Sequence, residues 1–168
     1  MAKLIVFLGN YGKEYENTRH NAAFALFKRM YPDIKLSNKF HSLFSDEGKA
    51  KLMLPMTYMN KSGIAVSEAK KFYKLSDDDI LICHDDTELD VGKVSLQKGG
   101  AVRGHNGLRS IIEMTGSSAF SRLRIGIGRP KYGDMRIYVL SPFSQSEQIA
   151  LKTAFDECEK LISSFLNC

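Results

Sequence analysis

An α/β fold is predicted by two features of the sequence. Short apolar runs bounded by glycine or polar residues alternate along the chain with segments whose apolar residues recur at helical spacing. The first run, Lys3-Leu4-Ile5-Val6-Phe7-Leu8, stays apolar from Leu4 onward without alternation, as a strand buried on both faces requires. With 168 residues, 43% of them hydrophobic, the chain can build one sizeable core and has no room for a second. Only four prolines are present, and no linker, low-complexity tract or repeat marks an internal boundary. Residues 1–168 therefore read as a single domain.

Strands are expected at 3–8, 50–54, 79–83, 93–97, 122–127 and 136–140, and helices at 20–30, 62–74, 104–115 and 146–166. The first strand ends abruptly at Gly9-Asn10. Ala50-Lys51-Leu52-Met53-Leu54 and Ile80-Leu81-Ile82-Cys83 repeat its apolar character. In the last helix Leu151, Ala154, Phe155, Cys158, Leu161, Ile162 and Phe165 form a stripe that would pack against the sheet.

Twenty-four Lys and Arg against 19 Asp and Glu leave a formal charge of +5, which favours a polyanionic partner. Cys83, Cys158 and Cys168 are odd in number and lack metal-ligand spacing, which argues against a disulfide framework or zinc site and for a reducing cytoplasm. No apolar run approaches the roughly 20 residues that a membrane crossing needs, and Met1-Ala2-Lys3 leads straight into a strand without a signal-peptide pattern. A soluble protein without membrane contact is expected.

Three segments place uncommon polar residues at strand ends. The first is Gly9-Asn10-Tyr11-Gly12, continuing to Thr18-Arg19-His20-Asn21; the second is Pro55-Met56-Thr57-Tyr58-Met59-Asn60-Lys61-Ser62-Gly63. The third runs from His84-Asp85-Asp86 through Glu88 and Asp90 to Gly99-Gly100-Ala101-Val102-Arg103-Gly104-His105-Asn106-Gly107-Leu108-Arg109-Ser110. Ligands bind at the carboxyl ends of strands in open α/β sheets, so an amide at Asn10 and an imidazole at His20 can face one crevice. A lone His near a helix start otherwise serves as a surface or capping residue. Gly99, Gly100 and Gly104 would let a loop pass close to a ligand and offer amide donors before the next helix, or simply make a tight turn.

The order GN-x-G, TRHN, P-x-T-x-MN-x-SG, HDD, LD-x-G, GG, GHNGLRSI and RLRIGIGRP resembles bacterial peptidyl-tRNA hydrolases, nearly from end to end. The resemblance implies a mixed, twisted β-sheet flanked by helices. It also implies a monomer that hydrolyses the ester between peptide and tRNA without cofactor, metal or covalent intermediate. By motif position His20 is the catalytic base and Asp85 its acidic partner. Asn10 and Asn106 would orient water and substrate, Asn60 would lie near the peptide, and Arg124, with Lys98, would hold tRNA phosphates.

The chemistry suits these residue types. A neutral imidazole with an ordinary pKa of about 6.5 can take a proton from water near neutral pH, and a carboxylate on its other nitrogen fixes the tautomer and stabilises the imidazolium. Sequence alone does not say which of Asp85, Asp86, Glu88 and Asp90 reaches His20; the last three otherwise read as a solvated acidic turn. His84 and His105 read as structural, and Asn21 as a helix-end hydrogen bonder or a nucleic-acid contact. Amides donate and accept without charge, which fits a substrate ester, although buried asparagines also tie loops together.

The chain departs from the family pattern at Tyr11, where proline is usual, and at Val102 and Arg103, where small residues are common. Gln97 stands where relatives often carry a cation, and a basic C-terminal extension is missing. Two other readings are a nucleotide-binding module, which lacks G-x-G-x-x-G or G-K-[ST] spacing, and a tRNA-binding protein without turnover.

Overall fold

The unbroken apolar run at the start of the chain becomes the central strand β1 (Lys3–Phe7), every residue of which is buried. The computed structural model describes residues 2–168. The remaining strands are β2 (Ser37–Lys39), β3 (Ser42–Glu47), β4 (Ala50–Pro55), β5 (Ile80–Asp86), β6 (Val94–Lys98) and β7 (Ser121–Gly126), in the spatial order β2-β3-β4-β1-β5-β7-β6. β1 runs parallel to β4 and β5, and β5 parallel to β7. β2, β3 and β6 pair antiparallel at the two edges. The sheet is mixed, as the resemblance implies.

The helices are α1 (Ala22–Met30), α2 (Ser62–Tyr73), α3 (Asn106–Thr115), the single turn α4 (Met135–Tyr138) and α5 (Gln145–Leu166). Side chains of β1 alternate between two cores. Leu4, Val6 and Leu8 meet Ala65, Val66 and Ala69 of α2 and Leu108 and Ile111 of α3. Ile5 and Phe7 meet α1 and the stripe of α5, from Leu151 to Phe165. Helices thus cover both faces, which is why β1 carries no polar alternation.

The chain leaves β1 for β4 on one side and returns to β5 on the other, so the strand order reverses at the carboxyl ends of β1 and β5. That is where a crevice forms in such sheets. α3 is fixed beside it by a close approach to α2. A Cβ on Gly63 would lie 2.1 Å from the Ser110 carbonyl oxygen, and the Gly63 amide donates to Ser110 Oγ at 2.9 Å. Only glycine admits that contact.

Two expectations fail. Residues 136–140 are not a strand: Asp134 Oδ1 accepts from the Arg136 amide at 2.8 Å and caps the helical turn α4. The carbonyls that follow serve elsewhere, since Val139 accepts from the His20 amide at 2.8 Å and Ser141 from the Arg19 amide at 2.9 Å. The hairpin β2–β3 has no counterpart among the expected elements, because β2 is Ser-Asn-Lys, exposed throughout, and offers no apolar signal. The other element ends agree with expectation to within a few residues, apart from β5, which continues to Asp86.

Arg19 anchors the turn that carries His20. Its guanidinium donates to Glu147 Oε2 and Oε1, both at 2.8 Å, and to Ser141 Oγ at 3.0 Å. It also lies 4.3 Å from the Tyr138 ring centroid. The Arg19 hydrogen bond holds the Glu147 carboxyl down at about 2. Glu147→Gln should therefore lower stability by roughly 2–3 kcal/mol in denaturant titrations near neutral pH. The difference should shrink as pH falls from 4.5 towards 2, because the depressed folded-state pKa confers its stability above the unfolded value and loses it on protonation.

Candidate active site

β5 delivers the centre of the site. Its last three residues, His84, Asp85 and Asp86, stay inside the sheet and are buried, rather than forming an exposed acidic turn. Asp85 accepts from two imidazoles at once: His20 Nδ1 lies 2.5 Å from Oδ2 and His105 Nε2 lies 2.8 Å from Oδ1. His20 arrives on the one-turn 3₁₀ segment Arg19–Asn21 that precedes α1. His105 arrives at the N-terminus of α3, 20 residues beyond Asp85 in sequence.

The hydrogen bonds assign the ring protons. His105 Nδ1 accepts from the amides of Gly107 and Leu108 at 3.1 and 3.3 Å, so its proton is on Nε2 and points at Asp85. His20 donates from Nδ1, which leaves Nε2 with a free lone pair on the cleft. Burial disfavours the His20 imidazolium, but the charge of Asp85 and the hydrogen bond to it prevail and raise its pKa above 6.5. Burial likewise pushes the Asp85 carboxyl up, and the two imidazoles overcome this and hold it well below the usual carboxylate range.

His84 does not join the acid–base group. Its Nδ1 donates to the Asp85 carbonyl at 2.8 Å and its Nε2 accepts from Arg122 Nε at 3.2 Å. Burial, with the nearby His105 and Arg122, lowers its pKa to about 3. Arg122 in turn donates to the Gly99 and Ala101 carbonyls at 3.3 and 2.9 Å and so fixes the glycine loop. His84 is structural, as expected. His105 is not merely so, because it shares the Asp85 carboxylate with His20. Its ring also caps α3 by accepting from the Gly107 and Leu108 amides.

The expected site residues divide into two groups. His20, Asp85, Asn106 and Arg124 line one cleft with His105, Arg103, Val139 and Arg136. Asn10 is buried and is not among the cleft-lining residues; its Oδ1 accepts from the Met59 amide at 2.7 Å. Its backbone exchanges hydrogen bonds of 2.8 Å with the Asn21 side chain, the neighbour of His20. Asn21 is therefore a tie between loops, and Asn10 keeps its Nδ2 donors while one lone pair of its oxygen is committed to Met59. Asn60 is exposed on the 3₁₀ turn Met59–Lys61 and does not line the cleft.

Arg124 Nε donates to Asp86 Oδ2 at 2.8 Å and Nη1 to Gln97 Oε1 at 3.0 Å, which orients the guanidinium at the cleft wall. Lys98 is on the other side of β6 from Gln97, pairs with Asp78 and stays outside the cleft lining. Tyr11, which is outside the cleft lining, stacks on Tyr58 with ring centroids 4.2 Å apart.

Among the described residues, His20, Asp85 and His105 are the group whose donor atoms lie close enough together to hold a metal ion. Those atoms converge because they hydrogen-bond to one another. A cation there would have to displace the His105 Nε2 proton, which the helix cap holds in place. The donor set does not fit a resident metal.

The profile of the peptidyl-tRNA hydrolase family matches residues 4–168. The chain belongs to the peptidyl-tRNA hydrolase family. The peptidyl-tRNA hydrolase of Citrifermentans bemidjiense is 45% identical over 162 residues, covering 92% of this chain and 86% of the relative. That of Shouchella clausii is 38% identical over 98% of this chain and 93% of the relative. A crystal structure of a peptidyl-tRNA hydrolase with N-propanol superposes with a TM-score of 0.90 at 38% identity, over 99% of this chain and 89% of that one. The Acinetobacter baumannii peptidyl-tRNA hydrolase superposes at 0.86 and 36% identity, over 99% and 93%.

Within this family member the imidazoles of His20 and His84 should be separable by NMR titration. His20 should titrate above 6.5 with its proton on Nδ1, and His84 should stay neutral until far more acidic pH, near about 3. Asp85→Asn should move the His20 midpoint down, since burial then acts unopposed. An unmoved His20 midpoint would show that Asp85 does not govern it.

Proposed function

We propose that the protein hydrolyses the ester of peptidyl-tRNA, with His20 as the general base. Family membership supports the substrate. The observation that carries the catalytic assignment is the free Nε2 of His20 on the cleft, with Nδ1 held by a buried carboxylate. Water bound at Nε2 would lose a proton to the imidazole as its oxygen attacks the ester carbonyl, and Asp85 would stabilise the imidazolium. Assistance of this kind is typically worth about 10²–10⁴-fold. The expelled ribose oxygen would then recover the proton from His20.

Asn106 stands at the cleft with an unengaged amide, suited to holding the substrate carbonyl or the water. Asn10 contributes its Nδ2 donors, and the bond from Met59 to its oxygen fixes the orientation of the amide. Arg124 binds tRNA phosphate in this reading, and the exposed Asn60 and Lys98 lie outside the cleft. The protein works as a single-domain monomer. Contacts of Lys3 Nζ with the Phe165 and Cys168 carbonyls at 2.6 and 3.0 Å, which tie β1 to the end of α5, support one folding unit. No helix among the described residues is long and apolar enough to cross a membrane. Cys83, Cys158 and Cys168 are unpaired, which supports a reducing compartment such as the cytoplasm.

The test is incubation with N-acylated aminoacyl-tRNA and free aminoacyl-tRNA side by side; cleavage of the first alone is expected. His20→Ala should lower kcat by at least about 10²-fold while tRNA binding survives. Near-normal turnover would refute the assignment, and binding without turnover in the wild type would favour a tRNA-binding protein. Activity should persist in EDTA. A loss restored only by Zn²⁺ would contradict a metal-free mechanism.

A further inference from the structure

We propose that Arg103 is a phosphate-binding residue of the cleft, placed for the phosphodiester that lies one ribose away from the scissile ester. The inference rests on the peptidyl-tRNA reading above. Its starting point is backbone strain. Arg103 and Gly104 have φ of 48° and 80°, and the His105 amide donates to the Val102 carbonyl at 3.0 Å across them. Positive φ at both central residues is the pattern of a type I′ turn, whose first central position is dominated by glycine, asparagine and aspartate. An arginine held there is strained, and strain of this kind concentrates at functional sites.

The strain is sustained by a firmly anchored loop. Arg122 holds the Gly99 and Ala101 carbonyls, Gln97 Nε2 donates to the Gly99 carbonyl at 2.8 Å, and the His105 cap fixes the far end. The left-handed turn therefore presents Arg103 at the cleft lip, two residues from His105 and three from Asn106.

Charge isolates the same residue. Four arginines line the cleft. Arg124 pairs with Asp86, Arg136 with Asp134, and Arg122 is buried behind the loop, 4.0 Å from Asp86. Among the described residues, Arg103 is the one cleft-lining cation with neither an ion pair nor a hydrogen bond, and it is exposed. An unneutralised positive charge beside the proposed ester site suits a phosphate contact made chiefly through charge.

The experiment compares wild type, Arg103→Asn and Arg103→Lys on two substrates: N-acetyl-aminoacyl-tRNA, and the N-acetyl-aminoacyl ester of adenosine, which carries the same bond without phosphate. Asparagine tolerates the left-handed turn, so Arg103→Asn should melt no lower than wild type. Its KM for the tRNA substrate should rise roughly 3- to 10-fold with kcat nearly unchanged, and its salt slope for kcat/KM should flatten by about one unit. The adenosine ester should be cleaved as by wild type, and Arg103→Lys should restore most of the tRNA KM. Equal losses on both substrates, an unchanged KM and salt slope, or a lysine variant no better than asparagine would each overturn the proposal. Failure of the wild type to cleave the tRNA substrate would instead remove the hydrolase reading, and the proposal with it, before any variant is compared.

Discussion

One buried carboxylate organises the site. Asp85 is almost without solvent exposure, and an isolated charge in that position would be strongly disfavoured. It persists ionised because His20 and His105 each aim an N–H at a different oxygen, and these two bonds come from segments that share no secondary structure. The carboxylate therefore pins the turn before α1 to the start of α3 across the end of β5. Each imidazole also receives a defined tautomer from it, and in His20 that choice leaves the cleft-facing nitrogen basic.

The surroundings maintain this arrangement by separate means. Arg19 and Glu147 clamp the His20 turn against the start of α5, while Gly63 lets α2 and α3 meet closely enough to set the position of His105. His84, kept neutral by burial, accepts from Arg122 and so leaves that guanidinium to grip the glycine loop. Hydrogen bonds to the Gly99 and Ala101 carbonyls anchor that loop to the side chains of Gln97 and Arg122. The same anchoring explains how a strained Arg103 can be tolerated at the lip of the cleft.

Much of this was legible in the sequence where one residue type has one structural meaning. The apolar run of β1, the stripe of α5 and the strand-end polar motifs announce a sheet covered on both faces with a crevice at its carboxyl edge. Signals shared between structures misled. Ile137 and Val139 alternate as in a strand, yet Asp134 caps a helical turn there, and the polar β2 carries no pattern at all. Lys98 was expected beside Arg124 at the phosphate site, but a strand turns successive side chains to opposite sides, and Lys98 lies outside the cleft lining. The role of His105 was hidden because its partner lies 20 residues away, and a sequence motif does not state which groups meet through space.

The pH dependence of kcat/KM on N-acetyl-aminoacyl-tRNA, for wild type and Asp85→Asn, tests the central claim most directly. A base must be unprotonated to act, and Asp85 raises the pKa of His20, so the wild-type acid limb should fall above 6.5. In Asp85→Asn the limb should move to lower pH while the plateau drops, because the imidazolium formed in the reaction loses its stabilising charge. A plateau that falls with the limb unmoved, or a limb that moves with the plateau intact, would contradict an imidazole base tuned by this carboxylate.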